Sequence, residues 1–211
     1  GSITLLSSLL VAACGNNEKK AIDTVATPTT EVAKETTATP TTTAPTTTAG
    51  ASSTTKEVSL SDTQRVGRES SGYVNVPKDW VAYQDKNTGS QFQFSSPDKY
   101  NVLSMNSYTK DSVKLANGET FGAELIANRL YDHWQNDKQQ TSLQGSRAKF
   151  AGEGAYLMKI AFSDGKYMYE WVVQKGEKVY ALAIEGTADT INSLRPILEQ
   201  SFGLDPKTPG K

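Results

Sequence analysis

Tyr156-Leu157-Met158-Lys159-Ile160-Ala161-Phe162-Ser163-Asp164-Gly165-Lys166-Tyr167-Met168-Tyr169-Glu170-Trp171-Val172-Val173 is the stretch on which the fold turns. Tyr156, Met158, Ile160 and Phe162 recur at every second position before the break, and Tyr167, Tyr169, Trp171 and Val173 do so after it. A period of two marks strands that bury one face. Asp164-Gly165 between the runs is a hairpin signal, because aspartate stabilises a turn locally and glycine accepts a positive φ. The pattern then repeats. Lys175-Gly176-Glu177 breaks the chain before Tyr180, Leu182 and Ile184 alternate in turn, and Gly152-Glu153-Gly154 marks the break on the upstream side. Successive hairpins of this kind require a mainly antiparallel sheet.

Outward from this stretch the period changes. Ala123, Ile126, Leu130 and Trp134 fall at helical spacing between Phe121 and Gln135, with Thr120 as the expected N-cap. A second helix is expected from about Ala188 to Phe202, presenting Ile191, Leu194, Leu198 and Phe202, with Gly203 as its stop and a kink or restart at Pro196. Four earlier strands are expected at Gly72–Pro77, Trp80–Gln84, Gln91–Phe94 and Tyr100–Tyr108, preceded by a short opening helix over Val58–Arg68. The order is four strands, a helix, four strands and a helix. That is an α+β fold: an antiparallel sheet of about 7–8 strands with helices packed on it.

Val76-Pro77-Lys78-Asp79-Trp80, the strand and turn Phe92-Gln93-Phe94-Ser95-Ser96-Pro97, and the closing helix ending Gln200-Ser201-Phe202 carry a family resemblance. Over about residues 71–204 the chain resembles the PsbP/Mog-type α/β/α sandwich. That fold serves a photosystem II extrinsic subunit, a Ran-binding protein and bacterial envelope lipoproteins. The resemblance therefore implies binding or scaffolding rather than catalysis, and it assigns no functional residue here.

The beginning of the chain reads differently. An apolar run from Ile3 closes with Leu10-Val11-Ala12-Ala13-Cys14-Gly15, which resembles a bacterial lipobox. The run is too short to span a bilayer, which needs about 20 apolar residues, and the polar Asn16-Asn17-Glu18-Lys19-Lys20 follows almost at once. Residues 1–14 are expected to be a lipoprotein signal peptide trimmed of its basic N-terminal region, with Cys14 the lipidation site. Cys14 is the single cysteine, so the chain can form no internal disulfide. Residues 15–56 hold Thr/Pro repeats such as Thr39-Pro40-Thr41-Thr42-Thr43-Ala44-Pro45 and little to bury, and are expected to be a disordered linker of extended character. Residues 57–205 form the expected globular domain, and 206–211 a flexible tail.

Chemistry-bearing patterns are few. The net charge is -1 with signs interspersed, which excludes the basic stripe of a nucleic-acid binder. His133 is the sole histidine, and Asp132 beside it points elsewhere on a helix, so a solvated helix histidine is expected rather than a catalytic one. No ligand spacing suits zinc, and Asp85-x-Asn87-x-Gly89 reads as a hairpin turn rather than a calcium loop. No cofactor motif and no catalytic set is expected. Tyr167, Tyr169 and Trp171 share one strand face, either as core under a helix or as a possible binding surface for carbohydrate or peptide. The opposite face, Met168, Glu170, Val172 and Gln174, is mixed and suits a partly covered sheet. The expectation is a lipid-anchored protein on the extracytoplasmic face of a bacterial cell membrane. Its domain would bind an envelope protein or a cell-wall component. A small-molecule-binding lipoprotein and a wall hydrolase are the alternatives.

Overall fold

The computed structural model describes residues 57–211. The lipidation pattern at Cys14, the signal-peptide run and the Thr/Pro linker lie outside the described residues. Nine strands and two α-helices follow in the order β1 Thr63–Arg68, β2 Gly72–Pro77, β3 Val81–Ala82, β4 Phe92–Ser95, β5 Val102–Tyr108, α1 Ala123–Gln135, β6 Gln140–Phe150, β7 Glu153–Phe162, β8 Tyr167–Lys175, β9 Lys178–Gly186 and α2 Ala188–Ser201. Seven of the strands make one antiparallel sheet in the order β3-β4-β5-β9-β8-β7-β6, and β1 and β2 form a separate ribbon. The expected α+β architecture, an antiparallel sheet with helices packed on it, is the one observed. Among the described residues no helix is long and apolar enough to cross a membrane.

The topology explains the two helices. Strands β3 to β5 run inward from one edge, and α1 carries the chain across a sheet face to the far edge. Strands β6 to β9 then return by hairpins until β9 pairs with β5 at the centre. Leaving the centre, α2 crosses the opposite face. Each face therefore buries its own cluster. Under α1 lie Met158, Ile160, Phe162, Met168 and Val172 with Ile126, Leu130 and Trp134. Under α2 lie Leu157, Trp171, Val173, Tyr180 and Leu182 with Ile191, Leu194, Leu198 and Phe202, joined by Val66, Val74 and Val76 of the ribbon.

Several local expectations need correction. Val58–Arg68 is not a helix: a 3-10 turn at Leu60–Asp62 leads into β1, which pairs with β2 along its whole length. Its apolar content is too thin for a helix face, and the ribbon closes through Gly72 (φ +85), where a β-carbon would press on the Phe202 ring. The expected strand Trp80–Gln84 shrinks to Val81–Ala82. Trp80 is held in a turn, its N–H donating to the Pro77 carbonyl (3.1 Å) and its carbonyl accepting from the Gln64 amide (2.9 Å). Helix α1 starts at Ala123 with Gly122 as N-cap, not at Phe121 after Thr120. The Ala123 N–H is taken by Gln174 Oε1 of β8 (3.3 Å), a partner remote in sequence.

Helix α2 matches its expected range closely, with Thr187 capping the Thr190 N–H at 3.1 Å. It runs through Pro196 without a restart. Val58 N donates to the Ser193 carbonyl (3.2 Å), one residue beyond the carbonyl that Pro196 leaves without a helical donor. Residues 206–211 are not a loose tail. Gly210 N donates to Ser201 O (2.9 Å), and Asp205 N to Lys211 O (2.7 Å), which draws the terminus onto the end of α2.

Candidate functional site at the β3 edge and on the open sheet face

The short β3 leaves a groove of about 250 Å³ at the sheet edge, lined by Arg68, Tyr83, Gln84, Gln91, Phe92 and Phe94 among others. Its floor follows from the period-two alternation of β4. Phe92 and Phe94 project to the α2 side, stacked with ring centroids 5.5 Å apart and an interplanar angle of 18°. The Arg68 guanidinium lies over Phe92 at 5.9 Å. Pairing with β4 ends at Tyr83, whose N–H reaches the Gln93 carbonyl (3.3 Å). Val81 on the outer strand is 43 % exposed.

The loop that walls the groove is fixed from the other side of the sheet. The Asp85 N–H donates to Gln93 Oε1 (2.8 Å), and Gln93 Nε2 donates to Ser104 Oγ (2.9 Å). The Gln91 N–H donates to Asn106 Oδ1 (2.8 Å). Asp85 and Asn87 form the expected turn, with the Asn87 N–H on Asp85 Oδ1 (3.0 Å) and the Thr88 hydroxyl on the Asp85 carbonyl (2.9 Å). Beneath the loop a smaller space of about 50 Å³ lies among Tyr83, Asp85, Lys99, Lys166 and Glu185. That volume suits water rather than an organic cofactor. Among the described residues no three His, Cys, Asp or Glu side chains converge as metal ligands would.

Tyr167, Tyr169 and Trp171 do share a face, but they do not act together. Trp171 is wholly buried, stacked on Phe150 at 5.3 Å, with its indole N–H on Glu199 Oε2 (3.1 Å). It offers a partner no surface, so the three-residue platform is reduced to two. Tyr169 is half-buried beside α2, with Lys159 Nζ over its ring at 5.2 Å and the Arg195 guanidinium at 5.6 Å. Tyr167, two residues nearer the strand end, is 42 % exposed.

The opposite face of β8 is partly covered, as expected: Gln174 at its far end is exposed. Met168, Glu170 and Val172 are buried under α1. Glu170 accepts from the Trp134 indole N–H (3.1 Å), and burial pushes its carboxyl up to about 7. Burial, and then the Glu170 charge, push the Tyr108 phenol well above its ordinary value. His133 is half-buried rather than solvated. Its ring meets the Trp134 ring edge-on at 4.8 Å, and burial pushes the imidazole below its usual value.

Sequence reasoning missed Arg68, Tyr83, Phe92 and Phe94 as groove residues and Lys159 and Arg195 as neighbours of Tyr169. The Phe92-x-Phe94 alternation was the available signal, but it reports a buried face and not that the neighbouring strand stops short.

No family model and no curated protein matches the chain. Among solved structures it is similar to cyanobacterial PsbP from Synechocystis sp. PCC 6803, at 15% identity over 67% of this chain and 89% of that one, with a TM-score of 0.46. It is also similar to LpqN of Mycobacterium tuberculosis, a protein involved in cell envelope biogenesis, at 13% identity over 65% of this chain and 87% of that one, with a TM-score of 0.42.

Proposed function

We propose that this protein is a lipid-anchored, extracytoplasmic binding module without catalytic activity, attached through Cys14 and carried on the Thr/Pro linker of residues 15–56. The groove at β3 is its partner-binding surface. One observation carries the binding reading. The groove is open along the sheet edge, floored by two parallel phenylalanine rings and rimmed by Arg68, Tyr83 and glutamine amides. Aromatic area with a polar, arginine-bearing rim is the composition of protein-recognition surfaces. A short edge strand with exposed backbone also lets an extended segment add beside it. A small-molecule carrier would instead hold its ligand between sheet and helix, where Trp134 and Phe162 fill one interface and Phe150, Trp171 and Phe202 the other. The lipid anchor rests on the pattern Leu10-Val11-Ala12-Ala13-Cys14.

Two measurements test the two halves. Cys14→Ser should abolish incorporation of labelled palmitate and release the protein from membranes; retention in the membrane pellet would overturn the anchor. For the groove, the full chain is used to capture partners from envelope extract. Arg68→Glu combined with Tyr83→Asp should lose a partner that native protein and an Arg147→Glu control on the far edge both retain. Equal capture by all three would overturn the groove as the binding surface.

A further inference from the structure

On the α2 side of the sheet Ala148 and Phe150 of β6 pack into the cluster under α2, while Ser142 and Gln144 towards the start of that strand are exposed. Backbone register lays two rows of side chains across this exposed part. Gln144 of β6 stands opposite Lys159 of β7, which stands opposite Tyr169 of β8. Ser142, Ala161 and Tyr167 form the parallel row beside it. With strands about 4.8 Å apart, each row spans about 10 Å. The tile is an array of two tyrosine rings, an amide, a hydroxyl and an ammonium, with the Arg195 side chain of α2 beside Tyr169.

Its charge is not balanced. Glu199 is the acidic side chain here, and it is committed twice, to Arg195 Nε (3.0 Å) and to the buried Trp171 indole N–H (3.1 Å). Lys159 and Arg195 both lie over the Tyr169 ring, and partial burial first, then the Arg195 charge, make the Lys159 ammonium harder to keep charged, against the opposing pull of Glu199. Two cations against one carboxylate leave a place for one more negative group. Tyrosine faces accept the C–H face of a ring, and the amide and hydroxyls beside them suit a ligand rich in hydroxyl groups.

We infer that this tile binds an acidic saccharide: a polyhydroxylated ring stacked on the exposed Tyr167, with its carboxylate at the Lys159 and Arg195 cations that lie over Tyr169. The site shares no residue with the β3 groove and does not depend on lipidation, so either reading can fail without the other.

The test is titration of the full 211-residue chain with a tetramer of galacturonic acid, its methyl ester, and a tetraglutamate peptide, followed by calorimetry. The acid tetramer should bind at least tenfold more tightly than the neutral ester or the peptide. Lys159→Gln should erase the preference for acid over ester, Lys159→Arg should keep it, and Tyr167→Ala should weaken both sugars alike. Unchanged thermal unfolding of the Lys159 variants establishes that the loss is one of recognition. Equal binding of acid and ester, equal binding of the peptide, no binding of any probe, or a preference that survives in Lys159→Gln would each overturn the assignment.

Discussion

The two faces of the sheet each pair a buried tryptophan with a glutamate, with the partners exchanged. Under α1 the tryptophan, Trp134, is on the helix and the glutamate, Glu170, is on strand β8; the N–H···O distance is 3.1 Å. Under α2 the tryptophan, Trp171, is on the same strand and the glutamate, Glu199, is on the helix; the distance is again 3.1 Å. The consequences differ because a helix rim reaches water and the centre of a sheet does not. The Glu199 side chain is 23 % exposed and ion-paired with Arg195. Glu170 is 3 % exposed, and its desolvation favours the neutral carboxylic acid. One hydrogen-bond motif is thus a modest surface tie on one face and a pH-dependent liability on the other.

The comparison can be broken most severely by emptying the aromatic face. Phe150 stacks on Trp171 and on Phe202, with ring centroids at 5.3 Å and 5.0 Å. Phe150→Ala should destabilise the domain by about 3–5 kcal/mol through lost burial and a residual cavity, measured as a lower urea midpoint.

Glu170 sharpens the contrast. Its folded value of about 7 lies above the ordinary 4.5, so between those values the folded protein holds a proton that the unfolded chain has released. The contribution of this group is therefore complete below pH 4.5 and is lost as pH rises through about 7. The loss amounts to about 3 kcal/mol. Glu170→Gln keeps an acceptor for Trp134 and cannot ionise. Its stability relative to the native protein should improve by about that amount between pH 4 and pH 8, read from urea unfolding at the two values. An unchanged difference between the two proteins across that range would remove the buried carboxyl as the cause.

A smaller effect isolates the hydrogen bond. Trp134→Phe and Trp171→Phe remove similar buried ring area, but only the first leaves a wholly buried carboxyl without its indole donor. At pH 8 Trp134→Phe should be more destabilising than Trp171→Phe by about 1–2 kcal/mol, and that gap should narrow at pH 4, where Glu170 is neutral.

Much of this architecture was legible along the chain. Alternation at Tyr156–Phe162 and Tyr167–Val173 gave the central hairpin, because a strand with one buried face must repeat at two residues. Helical spacing gave α1 and α2 to within a turn. The candidate site was less legible. Tyr169 and Tyr167 belonged to a recognisable stripe, yet nothing local separated them from Trp171, which differs only in lying under α2. Lys159 and Arg195 are 36 positions apart by numbering and meet only because β7 and α2 pack on the same face. The groove at β3 depended on a strand stopping after two residues, beyond which the Asp85 N–H turns to the Gln93 side chain.

The sequence by itself determined the periodicities and the turns, because each arises from side chains acting on their immediate neighbours. Tertiary structure alone decided which alternating face is closed by a helix and which is left open, that Gln174 rather than Thr120 satisfies the start of α1, and that Glu170 is buried and Glu199 is not. Those outcomes depend on what packs against a residue from far along the chain, and local pattern carries no record of the partner.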